Sequence, residues 1–366
     1  MKKLNELIDC EYNIVINGIK TNSSEIEKGD LFVCIDVGTK DRHLFIDDAI
    51  EKGASAIIAK YDVGKKKVPV IITDTNKVLP DLCAKFYDYP NKKLKMIGVT
   101  GTDGKTSIST IIQILIGKEK CGYIGTNGYS CANFNKDTAN TTPNSDKLFG
   151  YLKEFVDNGC NNCSMEVSSE ALMRGRVDEI EYDVSILSNI TSEHLNVHGN
   201  LDNYIMSKCL LFKKTKKEGF CILNADDKHF LEVKKCCNGH ILTYGTKEDC
   251  DLYFYNIELS PLKTTFSFKY GNVVYDITSP FPGLFNVYNL CAAILSMFAL
   301  GYKYEDFVNN ISLIKVSGRL EMVDEGQDFY LMVDYAHTPN GITKLLEYVH
   351  MLPIKKSIVV IGQAGE

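Results

Sequence analysis

No stretch of this 366-residue chain reaches the roughly 18 apolar residues that a membrane-spanning helix requires. The first ten residues carry Lys2, Lys3, Glu6 and Asp9 and lack an apolar run, so no secretory signal is expected. A basic surplus is also missing. Lys and Arg total 41 against 47 Asp and Glu, a formal net charge of −6, which argues against a general nucleic-acid binder. A local basic pocket for phosphates remains open. The 13 cysteines are an odd number, scattered, and lack the second metal-spaced pair that a zinc site normally shows. Cys160 and Cys163 form one CxxC, and Cys236 and Cys237 are adjacent. These read as reduced thiols of a cytosolic protein. No internal repeat or low-complexity tract is present.

What is there points to α/β architecture: helical stretches alternate with short apolar strands over a length sufficient for two or three domains. A helical stretch through Ile50 stops at Gly53, and Ala56-Ile57-Ile58-Ala59 reads as a buried strand. Val70-Ile71-Ile72 is another. Leu79, Leu82, Cys83 and Phe86 then share one helical face. Pro90 with Asn91, Lys92 and Lys93 reads as a linker. A second block opens with a strand over 96–100, a Gly-rich turn, and a helix that aligns Ile108, Ile111, Ile112 and Leu115. Further strands are expected at 163–167, 182–187, 220–223 and 264–270. A third block starts near Gly318, with a strand at 330–333, a helix near 342–349 and a strand at 357–361. The expected division is 1–91, 92–317 and 318–366, the last looking cut short because so few elements would have little to pack against.

Gly101-Thr102-Asp103-Gly104-Lys105-Thr106 lies between that strand and that helix. Glycines let backbone N–H groups approach phosphate oxygens, and the helix N-terminus adds a positive dipole. Lys105 brings charge near the β- and γ-phosphates, and Thr106 offers a hydroxyl to Mg²⁺. The common form of such a loop has a glycine where this chain has Val99. The bland alternative is a Gly-rich turn with an incidental lysine; the strand–loop–helix context favours a nucleotide site.

Glu166 ends an expected strand, where open α/β sheets face their ligands, and could reach a metal. The 189–199 segment also follows a strand and offers His194 and His198 in a polar loop. Taken singly, such residues are more often loop hydrogen-bonders. Together with the phosphate loop they make a Mg²⁺–ATP site credible. Lys208 is bland by itself, since a helical lysine is usually a solvated charge.

These residues resemble the Mur ligase family. Gly101–Thr106 is similar to its phosphate loop, usually GTNGKT, with Asp103 in place of Asn. Glu166-Val167-Ser168-Ser169, the 189–199 segment, Gly283-Leu284-Phe285-Asn286-Val287-Tyr288-Asn289, Ser317-Gly318-Arg319-Leu320-Glu321 and Val333-Asp334-Tyr335-Ala336-His337-Thr338-Pro339 resemble family motifs in the right order. Thr141-Thr142-Pro143 and Gly29-Asp30-Leu31-Phe32-Val33 resemble the tripeptide-synthetase branch. The resemblance implies a three-domain α/β fold: a UDP-binding domain, a central ATPase domain and an incomplete C-terminal Rossmann-like domain. It implies ATP-dependent addition of an amino acid, diaminopimelate or lysine, to UDP-N-acetylmuramoyl-L-alanyl-D-glutamate through an acyl phosphate. By the same resemblance Gly101, Thr102, Asp103, Gly104, Lys105 and Thr106 hold ATP. Thr106, Glu166, His194 and a carbamylated Lys208 hold Mg²⁺. Lys105, Lys208, His194 and Arg319 serve catalysis. Asn286 and Asn289 face the adenine, Arg319 and Asp334 the γ-phosphate and ribose. Ser23, Thr141, Thr142, Ser169 and Arg176 contact the UDP-muramoyl dipeptide.

Three positions depart from the family pattern. The usual Asp-Ser-Arg is Asn22-Ser23-Ser24, an Asp-Gly is Asp41-Arg42, and the His after the Glu-Val-Ser-Ser motif is Glu170. They bear on sugar-nucleotide contacts and leave the ATP chemistry intact. Two rivals stand beside this reading: a sister ligase of the folylpolyglutamate or cyanophycin type, and a non-catalytic binding module. The first 90 or so residues favour the UDP-sugar branch, while Gly362–Glu366 looks more like the loops of other relatives. A cytoplasmic monomer without nucleic-acid or membrane partners is expected.

Overall fold

Short apolar runs bounded by turns become strands buried on both faces, the pattern of parallel sheets covered by helices. The computed structural model describes residues 1–37, 40–132, 134–191 and 198–362. In the N-terminal part, β1 (Ile19–Lys20), β2 (Leu31–Val33), β3 (Ala56–Ala59) and β4 (Val70–Ile72) form a parallel four-stranded sheet in chain order. Every residue of β2 and β3 is buried. Phe32, Ile57 and Ala59 pack under α1 (Ile46–Glu51). Leu31, Val33 and Ile58 face the opposite way, toward Leu79, Leu82 and Cys83 of α2 (Thr75–Phe86). The expected linker is instead a 3₁₀ turn, Pro90–Lys93, with Pro90 and Asn91 buried. The Asn91 side chain donates to the Glu179 carbonyl at 2.7 Å, so packing holds this connection in place.

The second sheet has 11 strands among the described residues. They are β5 (Lys95–Thr100), β6 (Cys121–Gly125), β7 (Gly128–Cys131), β8 (Phe134–Lys136), β9 (Asn162–Glu166), β10 (Tyr182–Leu187), β11 (Thr215–Asn224), β12 (His240–Gly245), β13 (Leu252–Leu259), β14 (Thr264–Tyr270) and β15 (Val273–Ser279). Their spatial order is β8-β7-β6-β9-β5-β10-β11-β12-β13-β14-β15. The middle, from β6 to β13, is parallel, and antiparallel pairs close both ends. Its connections carry α3 (Lys105–Ile116), α4 (Ser145–Asp157), α5 (Leu201–Lys213) and α6 (Phe230–Lys234), and α7 (Leu284–Ala299) follows β15. Ile108, Ile111, Ile112 and Leu115 of α3 pack with Leu290 and Ile294 of α7 over Ile97, Val99 and Ile186. Leu152 and Phe155 of α4 and Leu211 and Phe212 of α5 cover the other face over Met96, Cys163 and Tyr182.

In the third block an antiparallel pair, β16 (Glu321–Val323) and β17 (Leu331–Val333), precedes α8 (Pro339–Met351). This helix starts at Pro339 because the Thr338 hydroxyl accepts the Gly341 N–H and a proline tolerates the first position. The strand expected at 357–361 is not one: Ile358 and Val360 are exposed and the backbone is irregular. An apolar run becomes a strand only where a neighbour shares its backbone hydrogen bonds, and no described strand pairs with it.

Phe155 is fully buried, and a Cβ on Gly122 would meet its ring at 2.3 Å. Phe155→Ala should therefore open a cavity against β6 and destabilise this sheet by about 3–5 kcal/mol. A thermal melt checks this, and an unchanged midpoint would contradict the packing described.

Candidate active site

Strand β5 has β9 on one side and β10 on the other, so the chain leaves it at a switch point and a crevice opens at its C-terminal end. The loop after Thr100 turns into α3 there. Gly101 and Gly104 have φ of 148° and 85°. A Cβ at Gly101 would lie 1.9 Å from Ser188 Oγ, and one at Gly104 would lie 2.5 Å from Asn289 Oδ1. Only glycine lets this backbone press against β10 and α7. The first N–H groups of α3 have no side-chain cap, leaving an anion-attracting terminus directed into the crevice. Lys105 Nζ donates to the carbonyls of Gly101 at 3.0 Å and Thr102 at 2.8 Å.

Glu166, at the end of β9, is fully buried. Its Oε1 accepts from Tyr123 Oη at 2.8 Å and from the Thr126 N–H at 2.8 Å. Its Oε2 accepts from Thr106 Oγ1 at 3.1 Å and Thr126 Oγ1 at 3.2 Å. Burial, then the Glu166 charge, push the Tyr123 phenol well above its ordinary value, so it stays a donor. These described partners are all neutral. A buried carboxylate beside a threonine hydroxyl supplies the hard oxygen donors that suit a divalent cation.

Lys208 is not the solvated charge that a helical lysine usually is. It is 1% exposed, because α5 packs over the loop. Its Nζ donates to the Gly101 carbonyl at 2.8 Å and lies 4.2 Å from the centre of the Tyr204 ring. His194 lies outside the described residues.

A cavity of about 810 Å³ adjoins the loop, with Thr102, Lys105, Asn286, Asn289, Arg319 and Asp334 in its wall. The size suits a nucleotide. Asn289 Nδ2 donates to Asn286 Oδ1 at 2.9 Å, and Asn286 Nδ2 to the Pro282 carbonyl at 2.7 Å, which orients both amides. Arg319 reaches Thr106 Oγ1 at 3.3 Å and lies over the Tyr335 ring at 4.4 Å. Asp334 uses both carboxylate oxygens to accept N–H groups, from Leu320 and Ala336 at 2.8 Å each. Asp103 accepts from Asn340 Nδ2 at 3.0 Å.

Four of the five residues expected at the sugar-nucleotide substrate gather near Glu166. Thr141 Oγ1 is 3.1 Å from Thr126 Oγ1. Thr142 Oγ1 donates to the Glu166 carbonyl and accepts the Ser168 N–H, each at 2.9 Å. Arg176 donates to the Thr142 carbonyl at 3.0 Å. Ser169 Oγ is 3.0 Å from His198 Nε2. Ser23 is in the N-terminal part, buried on the turn Ser23–Glu25. Of the departing positions, Glu170 pairs with Arg174 at 2.8 Å and Arg176 at 3.3 Å. The Asn22 side chain accepts the Ser24 N–H at 3.2 Å. Arg42 Nε is buried without a partner among the described residues.

Sequence reasoning missed Tyr123, Thr126 and Asn340. Tyr123 meets Glu166 only because β6 lies parallel to β9, with Tyr123 opposite Ser164. No local pattern carries that signal.

The Mur ligase middle domain family matches residues 99–297, and the Mur ligase, glutamate ligase domain family matches residues 318–366. The chain is 37% identical to the UDP-N-acetylmuramoyl-L-alanyl-D-glutamate–2,6-diaminopimelate ligase of Bacillus licheniformis, over 96% of this chain and 74% of that one. It is 36% identical to the corresponding L-lysine ligase of Staphylococcus haemolyticus, over 97% and 74%. Among solved structures, a UDP-N-acetylmuramoyl-L-alanyl-D-glutamate–2,6-diaminopimelate ligase superposes with a TM-score of 0.80 at 26% identity, over 96% of this chain and 74% of that one. With its phosphate loop, buried carboxylate and mixed sheet in this arrangement, the chain belongs to the Mur ligase family.

Proposed function

We propose that this protein is an ATP-dependent ligase that adds an amino acid to UDP-N-acetylmuramoyl-L-alanyl-D-glutamate in peptidoglycan synthesis. One observation carries the reading: the 101–106 loop and Glu166 converge on one cavity, in a chain more than a third identical to ligases of that substrate over almost its whole length. Those relatives include both diaminopimelate and L-lysine ligases, and both amino acids remain candidates here.

A carboxylate does not react with an amine at neutral pH, because oxide is a poor leaving group. The substrate carboxylate oxygen attacks the γ-phosphorus of ATP, and ADP departs. The resulting acyl phosphate has a good leaving group. The amine attacks its carbonyl carbon, a tetrahedral intermediate collapses, and phosphate leaves as the nitrogen loses a proton. The protein's share is positioning and charge complementarity. The uncapped N–H groups of α3 and the Lys105 ammonium receive the phosphates, and Arg319, within 3.3 Å of Thr106 Oγ1, stands beside the loop where charge develops. Asn286 and Asn289 present fixed amides to the base. Thr106, Glu166, His194 and Lys208 as a carbamate would hold Mg²⁺, which would supply charge neutralisation at the phosphates. Thr141, Thr142, Ser169 and Arg176 orient the muramoyl dipeptide, and Ser23 contacts its nucleotide end. Residues 1–91, 92–317 and 318–366 act as UDP-binding, ATPase and amino-acid-binding parts of a cytoplasmic monomer.

Phosphate release from ATP tests this, with and without the UDP-muramoyl dipeptide, and with diaminopimelate, lysine or neither. Release that ignores the muramoyl dipeptide would sink the reading. Lys105→Ala is expected to lower turnover by about 10²–10³-fold while circular dichroism stays unchanged. If turnover keeps more than about a tenth of its original value, the electrostatic role given to Lys105 is wrong. Lys208→Ala should also lose turnover and regain part of it with added acetate, which supplies an oxygen donor in place of the carbamate. Labelled bicarbonate should give a carbamate signal in the unsubstituted protein. Absence of both the rescue and the signal would refute the carbamate.

A further inference from the structure

The two ends of the proposed substrate fall on separate parts of the chain, and those parts meet at the start of α4. Thr141 and Thr142 lie just before this helix, and its first residues each take a partner elsewhere. Ser145 Oγ donates to the Arg176 carbonyl at 2.9 Å. Asp146 Oδ2 accepts twice from Thr21, from the backbone N–H at 3.3 Å and from Oγ1 at 3.0 Å. Lys147 pairs with Glu25, the last residue of the Ser23–Glu25 turn. One helical turn thus holds the Arg176 backbone on one side and the segment carrying Ser23 on the other.

These contacts differ in weight. Lys147 and Glu25 are both partly exposed, and such a pair contributes little. Leu79 and Leu82 of α2 and Leu148 and Leu152 of α4 belong to one buried cluster, but apolar contact is non-directional and sets no register. Asp146 is 5% exposed. Its Oδ1 is buried without a hydrogen-bond partner among the described residues. A carboxyl group taken out of water with one oxygen left without a donor costs stability, where an apolar side chain would not. What Asp146 supplies instead is direction. Both Thr21 donors converge on one oxygen, and the chain runs from Thr21 straight into the Ser23 turn.

We propose that Asp146 is a positioning residue for the sugar-nucleotide substrate, setting the distance between Ser23 at its nucleotide end and Thr141, Thr142 and Arg176 at its peptide end. The inference rests on the reading of those residues as substrate contacts. A ligand held at both ends gains because the second contact forms within the complex, and that gain is lost when the two sites drift out of register. Neither end, bound separately, depends on the spacing. The phosphate loop is seated against Ser188 and Asn289, neither of them on α4, so ATP lies outside this effect. Loss of the Asp146 contact therefore penalises the intact UDP-muramoyl dipeptide and spares UDP and ATP.

The test is calorimetry of the full chain and its variants with UDP-muramoyl dipeptide, with UDP and with ATP. Asp146→Ala should weaken binding of the intact UDP-muramoyl dipeptide by about tenfold or more, and shift the affinities for UDP and ATP by less than about twofold. Asparagine keeps an acceptor oxygen for Thr21, so Asp146→Asn should restore binding to within about threefold of the unsubstituted chain. Thr21→Val removes the hydroxyl at nearly constant shape and reaches the same contact from the other side. It should give the same selective loss, more weakly, and serves if Asp146→Ala does not fold. Equal losses for UDP and the intact ligand would reduce Asp146 to a structural role and overturn the proposal, as would no loss in either variant. An unsubstituted chain that binds no UDP-muramoyl dipeptide would instead overturn the substrate reading beneath it.

Discussion

The buried carboxylate of Glu166 is the constraint around which the second sheet is arranged. A charge taken out of water must be given hydrogen bonds, or it forces protonation or rearrangement. Here the donors come from three separate elements: Tyr123 from β6, Thr126 from the turn after it, and Thr106 from α3. Gly125 follows from the same demand, since a Cβ there would lie 2.1 Å from Glu166 Oε1. The carboxylate thereby fixes how α3 sits on the sheet and where the phosphate loop opens.

The third block completes the site by contact with this frame. Arg319 reaches Thr106, Asn127 donates to the Ser317 carbonyl at 3.1 Å, and Asn340 donates to Asp103. The departure Asp103 thus has a partner on α8. Its carboxylate is held by a neutral amide on the side of the loop facing the C-terminal block.

Much of this was legible where chemistry is local. The apolar positions of α2 and α3 repeat at helical spacing, β2 and β3 are uniformly apolar, and the phosphate loop sits between a strand and a helix. What escaped depends on distant partners. Strand β6 reads Cys-Gly-Tyr-Ile-Gly, whose glycines suggest a turn, yet Gly122 is there because the Phe155 ring occupies the space of a side chain. Strand β13 alternates buried and half-buried positions only over 252–255 and has no buried residue over 256–259, so its pattern is weak. The 357–361 run has strand composition and no ladder. Lys208 looked ordinary because its burial comes from a helix packing over a loop 107 positions earlier.

That separation also governs when the site can exist during synthesis. The phosphate loop leaves the ribosome long before Glu166, Ser188 and Lys208, and without them Gly101 and Gly104 have nothing to press against. Pairing β5 with β9 and β10 needs contacts far apart in sequence, which form late in folding. A growing chain therefore carries a glycine-rich segment with no preorganised cradle. Nucleotide affinity arrives later still, once α7 has brought Asn286 and Asn289 to the cavity wall and Asn289 against Gly104.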